Sequence, residues 1–186
     1  MSRSPLDFYA TPPHYIAALF GEVNLWGKVI EPCCGDGAIV EALRTRTAIR
    51  KVVANDIDTG YDADLHFDAR LPWPGHYDWA VTNPPFCDEL PILEQAFDAA
   101  DNVAFLARLS FLEPTEDREY LLESRRPTQI IVLPRYSFRP NDQGKRATDS
   151  MTCCWLVWHA DREQRGLSVW GRPRSMAYAV MEGLAA

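Results

Sequence analysis

Short apolar runs alternate with stretches of helical periodicity along most of the chain. The runs predict strands at 28–31, 52–54, 77–82, 102–109, 129–133 and 153–158. Apolar residues three or four positions apart predict helices over 37–43, 90–100 and 113–123, and Pro12-Pro13 is suited to open a helix through Phe20. Weaker patterns suggest strands near 64–67 and 167–170 and a closing helix over 175–184. Such alternation is typical of an α/β fold with a mainly parallel sheet covered on both faces.

Length and composition favour one globular domain over 1–186, without a separate target-recognition domain. The chain has 186 residues, of which 47% are hydrophobic and 24% charged. It has no apolar run near the roughly 20 residues that span a bilayer. Residues 1–7 do not have the apolar core of a secretion signal. We therefore expect a cytoplasmic protein that does not bind membranes.

The five cysteines do not form a recognisable framework. Cys33-Cys34 and Cys153-Cys154 are adjacent pairs and Cys87 stands alone, so neither a disulfide pattern nor a Cys-x-x-Cys metal motif is present. The sequence predicts reduced, partly buried thiols and no metal site.

The charge distribution is compatible with a local basic face on an acidic protein. A net charge of −7 argues against binding nucleic acid by bulk charge alone. The polar segment 134–150 nevertheless contains four basic residues, Arg135, Arg139, Lys145 and Arg146. A segment of this length without secondary structure is uncommon unless it binds something or is disordered. A solvated loop and a patch that contacts a nucleic-acid backbone both fit it.

A glycine loop follows the first strand directly. Gly35-Asp-Gly37 lies between a predicted strand and helix, where glycines permit a tight turn and a close approach of backbone to ligand. Val40 occupies the position at which a dinucleotide fingerprint has its third glycine, which disfavours a nicotinamide enzyme. The loop indicates a nucleotide-like ligand or a structural turn.

Carboxylates follow the next elements. Asp56 ends the second strand, 19 positions after Gly37, where a carboxylate can accept both hydroxyls of a ribose. Asp58 is better suited to cap the turn before Gly60. Asp68 stands ahead of Leu71-Pro72, where it could accept from the exocyclic amino group of a bound adenine or simply belong to a surface turn.

A stiff loop ends the strand at 77–82. In Asn83-Pro-Pro-Phe86 the prolines fix two φ angles and remove two backbone donors, so carbonyl groups remain as acceptors. The nitrogen of a planar amino group is a poor nucleophile because its lone pair is delocalised. The Asn83 side-chain oxygen and the Pro84 carbonyl can accept its two hydrogens and concentrate electron density on nitrogen. Phe86 offers a flat face to a planar acceptor.

Together these motifs resemble the amino-methylating class I methyltransferases, especially DNA adenine-N6 methyltransferases. Glu31-Pro-Cys-Cys-Gly-Asp-Gly37 is similar to their cofactor loop, Asn55-Asp-Ile-Asp58 to their ribose-binding strand end, and Asn83-Pro-Pro-Phe86 to their catalytic loop. Phe8-Tyr-Ala-Thr-Pro12 resembles their N-terminal motif. The resemblance covers roughly residues 8–158. It implies a Rossmann-like, mainly parallel seven-stranded sheet and S-adenosylmethionine as cofactor.

By this resemblance, the reaction is methylation of the N6 amino group of adenine in DNA. The catalytic residues would be Asn83, Pro84, Pro85 and Phe86. The cofactor would be bound by Tyr9 and Thr11 at its methionine end, and by Glu31, Pro32, Gly35, Gly37, Asp56, Ile57, Asp68 and Asn83. A flipped adenine would stack on Phe86 and contact Tyr136 or Phe138, while Arg139, Lys145 and Arg146 would contact the nucleic-acid backbone.

Several alternatives remain open at this point. The same tetrapeptide occurs in enzymes that methylate ribosomal RNA bases or protein glutamine amides. A catalytically silent subunit that binds nucleic acid or a partner methylase is another possibility. Without a recognition domain, sequence specificity would come from inserted loops such as 134–150 or from a partner, as in a short phage or bacterial enzyme of low specificity. Either a monomer or a homodimer is compatible with the sequence.

Overall fold

A computed structural model describes residues 10–113, 115–135 and 152–170 of the chain. Its four α-helices are α1 (Pro13–Glu22), α2 (Ala38–Arg44), α3 (Glu89–Ala99) and α4 (Glu116–Ser124). Its seven strands are β1 (Gly27–Glu31), β2 (Ile49–Ala54), β3 (Tyr77–Thr82), β4 (Ala100–Arg108), β5 (Gln129–Val132), β6 (Cys153–Trp158) and β7 (Gly166–Val169). A 3₁₀ turn (Leu109–Leu112) follows β4. None of the described helices is long and apolar enough to cross a bilayer.

The described strands form a seven-stranded mixed sheet in the order β2-β1-β3-β4-β6-β5-β7. β1 is parallel to both β2 and β3, and β3 is parallel to β4. β5 is antiparallel to β6 and parallel to β7. The predicted α/β class and mainly parallel seven-stranded sheet are therefore confirmed.

The chain divides into two compact units. The first unit contains described residues 10–11 and 25–105, and the second contains 12–24 and the described residues from 106 onward. The prediction of one methyltransferase domain without a recognition domain stays a prediction.

The core of the first unit is built around β1 and β3. Val29, Ile30, Ala80 and Val81 are fully buried, as expected for strands of a parallel sheet with both faces covered. From α3, Leu93 is also fully buried. This apolar burial fixes the places where the strands end, and the loops that follow these ends carry the polar residues of interest.

The second unit is organised around β6, in which all six residues are buried. The indole of Trp155 donates a hydrogen bond to the Tyr15 carbonyl at 2.7 Å, and the Tyr15 hydroxyl donates to the Pro134 carbonyl at 2.9 Å. Both side chains are completely buried, so these bonds satisfy polar atoms that would otherwise be costly there. They attach α1 to the end of β5.

The prediction of a strand near 64–67 was wrong. Leu65 makes only an isolated bridge to Asn55. The Asn55 side chain takes the place of a ladder, because its amide donates to the Phe67 carbonyl at 3.1 Å and accepts from the Phe67 amide at 2.9 Å. The edge strand predicted at 167–170 is confirmed as β7, and the helix predicted over 175–184 lies outside the described residues.

Candidate active site

A cavity of about 230 Å³ opens where β1, β2 and β3 of the first unit end. Ligands of open α/β sheets bind at the carboxyl ends of strands, because loops there converge while the strands stay rigid. The walls are formed by Thr11 and by residues of four segments, which lie within 32–39, 56–61, 68–70 and 83–92. All of these residues belong to the first unit.

The glycine loop turns directly from β1 into α2. Gly35 and Gly37 have φ angles of 50° and 84°, in the left-handed region that favours glycine. Gly37 is the N-cap of α2, and a Cβ placed there would meet no atom within 4 Å. The open space beside Gly37, at the start of a helix, suits the close approach of a ligand.

Asp56 joins the glycine loop to the end of β2. Its Oδ2 accepts a hydrogen bond from the Gly35 amide at 2.8 Å, and its Oδ1 accepts from the Asp58 amide at 2.9 Å. A carboxylate has about four acceptor positions, so two remain for ligand hydroxyls. Asp58 caps the following turn as predicted, since its side chain accepts from the Gly60 amide at 2.9 Å.

Asn55, which is completely buried, holds the loops together behind Asp56. Besides its two bonds to Phe67, its amide donates to the Pro32 carbonyl at 2.8 Å. One side chain thus connects the ends of β1 and β2 to the segment that leads to Asp68.

Asp68 lines the cavity but is paired with Arg70. The guanidinium donates to both carboxylate oxygens, from Nε at 2.9 Å and from Nη2 at 2.7 Å. These bonds lower the pKa of Asp68. The other terminal nitrogen of Arg70, Nη1, lies 3.5 Å from Oδ1 of Asp88, just before α3.

The loop after β3 places Asn83, Pro84 and Pro85 on the cavity wall. Nδ2 of the Asn83 side chain donates a hydrogen bond to Oγ1 of Thr11 at 3.0 Å. This bond directs the side-chain oxygen of Asn83 away from Thr11. The Asp88 amide donates to the Pro85 carbonyl at 2.9 Å and closes the turn before α3. Pro84 is buried and Phe86 is half-buried.

A buried carboxyl group lies behind the cavity. Glu31 is completely buried at the end of β1, and its Oε1 accepts from the Cys33 amide at 3.3 Å. Its Oε2 and the buried Thr82 hydroxyl do not form hydrogen bonds of acceptable geometry with the described residues. Burial raises the pKa of Glu31 well above its ordinary value, although the nearby Thr82 hydroxyl lowers it in part.

Two thiols line the cavity beside this carboxyl group. Burial, followed by the charge of Glu31, raises the pKa of Cys33 well above its usual range. The same two causes raise the pKa of Cys34 to about 12. All five cysteines are free thiols. Cys87 is exposed, so the expectation that all the thiols are partly buried was wrong for this residue.

Eight of the twelve predicted site residues that the structure describes line one cavity. Thr11, Pro32, Asp56, Ile57, Asp68, Asn83, Pro84 and Pro85 line it. Four others lie near it in the chain without being part of its lining, namely Glu31, Gly35, Gly37 and Phe86. Tyr9, Tyr136, Phe138, Arg139, Lys145 and Arg146 lie outside the described residues. The roles assigned to all of these residues stay predictions.

Sequence reasoning missed Tyr61, Arg70 and Asp88 as residues of the lining. Arg70 could have been suspected because it stands two positions after Asp68, which is a spacing that permits a local ion pair. No sequence signal points to Asp88, because its proximity to Arg70 depends on how two separate loops fold.

The cavity is strongly acidic. Its lining contains five aspartates, Asp36, Asp56, Asp58, Asp68 and Asp88, and one basic residue, Arg70. Such a lining favours a ligand that carries positive charge. Groups of three or more side chains suited to hold a metal ion do not occur among the described residues.

Comparison with known proteins gives structural similarity only. The chain matches neither a protein-family model nor a curated protein sequence. It is similar to the methyltransferase subunit of a type I restriction-modification system from Streptococcus thermophilus, with 12% identity and a TM-score of 0.62 over 94% of this chain. The chain spans only about half of that subunit, 52% of its length.

Two shorter proteins are also similar. A candidate RNA methyltransferase from Pyrococcus horikoshii has 16% identity and a TM-score of 0.55, over 82% of this chain and 86% of its own. A predicted O-methyltransferase from Agrobacterium tumefaciens has 13% identity and a TM-score of 0.57, over 95% and 98%. At these identities the similarity concerns the fold, and this chain has a Rossmann-like α/β fold similar to that of these proteins.

Proposed function

We propose that this protein transfers a methyl group from S-adenosylmethionine to a planar amino nitrogen, with N6 of adenine in DNA as the leading acceptor. The observation that carries the proposal is that one cavity is lined by both Asp56 and the Asn83-Pro84-Pro85 loop. The first suits a ribose and the second an amino group. A loop with a purely structural role would not need a carboxylate suited to a ribose and acceptors suited to an amino group at the same cavity.

The residues present fit the cofactor. Asp56 has acceptor positions for two ribose hydroxyls, and Ile57, half exposed on the cavity wall, offers an apolar surface to a base. The left-handed glycines turn the chain sharply between β1 and α2. The acidic lining suits a molecule with a net positive charge. When bound, the cofactor supplies an activated methyl group on a sulfonium.

In the proposed reaction, the Asn83 loop binds and activates the amino group of the substrate. Thr11 holds the Asn83 amide nitrogen, so the side-chain oxygen can accept one hydrogen of the substrate amino group. The Pro84 carbonyl accepts the other hydrogen. The nitrogen lone pair would then be available to attack a methyl donor. Positioning and electrostatic stabilisation supply the rate enhancement, and a covalent enzyme intermediate is not required.

Adenine in DNA is favoured among the acceptors for two reasons. The Asn-Pro-Pro-Phe loop resembles that of DNA adenine-N6 methyltransferases, and the similar Streptococcus thermophilus protein belongs to a restriction-modification system. An adenine flipped out of the helix would reach the loop and stack on Phe86. Adenine in RNA is the second candidate, which the similar Pyrococcus horikoshii protein favours.

The decisive experiment offers labelled S-adenosylmethionine with DNA, RNA and protein substrates and then digests the nucleic acids to nucleosides. We expect label in N6-methyladenine from DNA. Label only in RNA nucleosides would identify the second candidate, and label only in protein would refute both. If nothing is labelled although the cofactor binds in calorimetry, the chain is a silent binding subunit instead.

Two variants separate binding from chemistry in this assay. Asn83→Ala should abolish transfer while the dissociation constant of the cofactor changes little. Asp56→Ala should mainly weaken cofactor binding, by about tenfold for the loss of hydrogen bonds to a charged acceptor. An Asn83→Ala variant that transfers methyl groups at the normal rate would contradict the catalytic assignment.

A further inference from the structure

Arg70 connects two segments that line the cavity. Its guanidinium forms a two-point pair with Asp68 and approaches Asp88, just before α3, to 3.5 Å. About half of its side chain is exposed, with a relative accessibility of 47%. Ion pairs this accessible to solvent contribute little to folding stability. The ion pairs of Arg70 therefore matter more for the geometry of the cavity than for the stability of the fold.

Arg70 leaves Asp68 with one defined acceptor position. Oδ1 of Asp68 accepts from the Arg70 backbone amide at 3.0 Å and from Nε at 2.9 Å, which uses both of its lone pairs. Oδ2 accepts from Nη2 at 2.7 Å and retains its second lone pair. Within the described residues, no other group donates to this carboxylate. The guanidinium fork is planar, so it also fixes the plane of the carboxylate.

We infer that Arg70 is a positioning residue that orients Asp68 to accept a hydrogen bond from the 6-amino group of the cofactor's base, and thereby selects an amino purine over a 6-oxo purine. The inference rests on the proposed function, because it takes the base of the cofactor to lie against Asp68. A fixed acceptor attracts an N–H and repels a carbonyl oxygen. A carboxylate that can rotate discriminates less, because it can turn away from an unfavourable partner.

Asp88 supports this arrangement from the segment before α3. Its carboxylate is near the terminal nitrogen of Arg70 that does not bind Asp68. Charges on both sides restrict the guanidinium to one position. Asp88→Asn should therefore change selectivity in the same direction as loss of Arg70, but by a smaller factor.

The test measures binding of S-adenosylhomocysteine and of its 6-oxo analogue, S-inosylhomocysteine, by isothermal titration calorimetry. For Arg70→Ala we expect about tenfold weaker binding of the amino ligand, the usual effect of one lost hydrogen bond. Binding of the 6-oxo ligand should change by under about twofold. Arg70→Lys keeps the positive charge but not the planar fork, and it should recover part of the selectivity.

Arg50→Ala is the matched control. Arg50 is also an exposed arginine of the first unit, and it forms a 3.5 Å pair with Asp78 away from the cavity. It should leave both dissociation constants unchanged. Thermal unfolding of all the variants shows whether any of them is misfolded.

The inference is overturned if Arg70→Ala weakens both ligands by the same factor, which would indicate a merely structural role, or if it changes neither. These results would leave the proposed function intact, because the unaltered protein would still bind the cofactor product. Failure of the unaltered protein to bind either ligand would instead overturn the proposed function, and this inference with it.

Discussion

The Thr11 hydroxyl contributes to the orientation of the Asn83 side chain. An amide side chain can rotate by half a turn and exchange its donor and acceptor. The bond from Asn83 Nδ2 to Thr11 Oγ1 favours one of these orientations. Thr11 therefore acts on the proposed reaction through Asn83, in addition to its place on the cavity wall.

Replacement of Thr11 tests this role. Thr11→Val has nearly the same shape but does not accept the hydrogen bond, so we expect kcat for methyl transfer to fall about tenfold, the value of one hydrogen bond. KM for the cofactor should change less. Thr11→Ser retains the hydroxyl and should keep most of the activity. Equal kcat values for the Val variant and the unaltered protein would contradict the prediction.

Glu31 gives a second prediction at the residue scale. Because burial raises the pKa of Glu31, the folded state holds its proton more tightly than the unfolded state does. Between the two pKa values the folded state binds more protons, so the free energy of unfolding must fall as pH rises from about 4.3 through the raised value. Glu31→Gln removes this contribution. Its stability relative to the unaltered protein should therefore increase with pH.

Urea unfolding at pH 5, 7 and 9 measures this difference. The same substitution at an exposed position on α2, Glu41→Gln, serves as control. Parallel stability profiles for Glu31→Gln and the unaltered protein would show that Glu31 titrates alike in both states.

At the scale of elements, Asn55 extends the attachment of the segment that follows β2. The amides of Asp64 and Leu65 donate to the Ala54 carbonyl, and beyond them the Asn55 side chain binds both backbone groups of Phe67. A side-chain amide supplies donors and an acceptor at one point, which leaves the following residues free to turn toward the cavity. This attachment determines where Asp68 lies.

Asn55→Ala should therefore be strongly destabilising. It removes hydrogen bonds to Pro32 and Phe67 and leaves their buried partners unsatisfied, which we expect to cost about 3 kcal/mol. The midpoint of urea unfolding measures the loss, and Asn24→Ala at an exposed asparagine is the control. A loss below about 1 kcal/mol would mean that other contacts hold this segment.

The sequence predicted most elements because their burial follows from apolar runs. β3 and β6 begin and end at the predicted residues. β2 begins three residues earlier than predicted, because it is the edge strand and tolerates the exposed Arg50 and Lys51. β4 begins two residues earlier, since Ala100 pairs with Tyr77 in the ladder to β3.

The candidate site was predictable wherever a motif follows a strand. Asp56 and Asn83 stand directly after apolar strands, and the carboxyl ends of parallel strands lie together. The bond of Asn83 to Thr11 and the approach of Arg70 to Asp88 were not predictable, because each joins segments whose proximity exists only after folding.

At the scale of the whole molecule, charge is distributed unevenly. The net charge is −7, and the cavity lining alone contributes five aspartates and one arginine. A binding site with this excess of negative charge should distinguish S-adenosylmethionine, which has a net charge of +1, from the demethylated product, which is neutral. The site would then release the product more readily than it releases the cofactor.

Salt should reveal this preference. Raising NaCl from 50 to 500 mM shortens the screening length to about 4 Å, which weakens the attraction of the acidic lining for a cation. We expect affinity for S-adenosylmethionine to fall about threefold or more, and affinity for S-adenosylhomocysteine to change little. Calorimetry at both salt concentrations measures the ratio, and a ratio independent of salt would exclude electrostatic selection.

The two thiols in the cavity wall have a further consequence. A sulfonium that can methylate an amine can also alkylate sulfur, and only the thiolate form of cysteine is a strong nucleophile. Because the pKa of Cys34 is raised to about 12 and that of Cys33 is also raised, both stay protonated near neutral pH. The burial and negative charge that surround them thus protect the protein from inactivating itself with its own methyl donor.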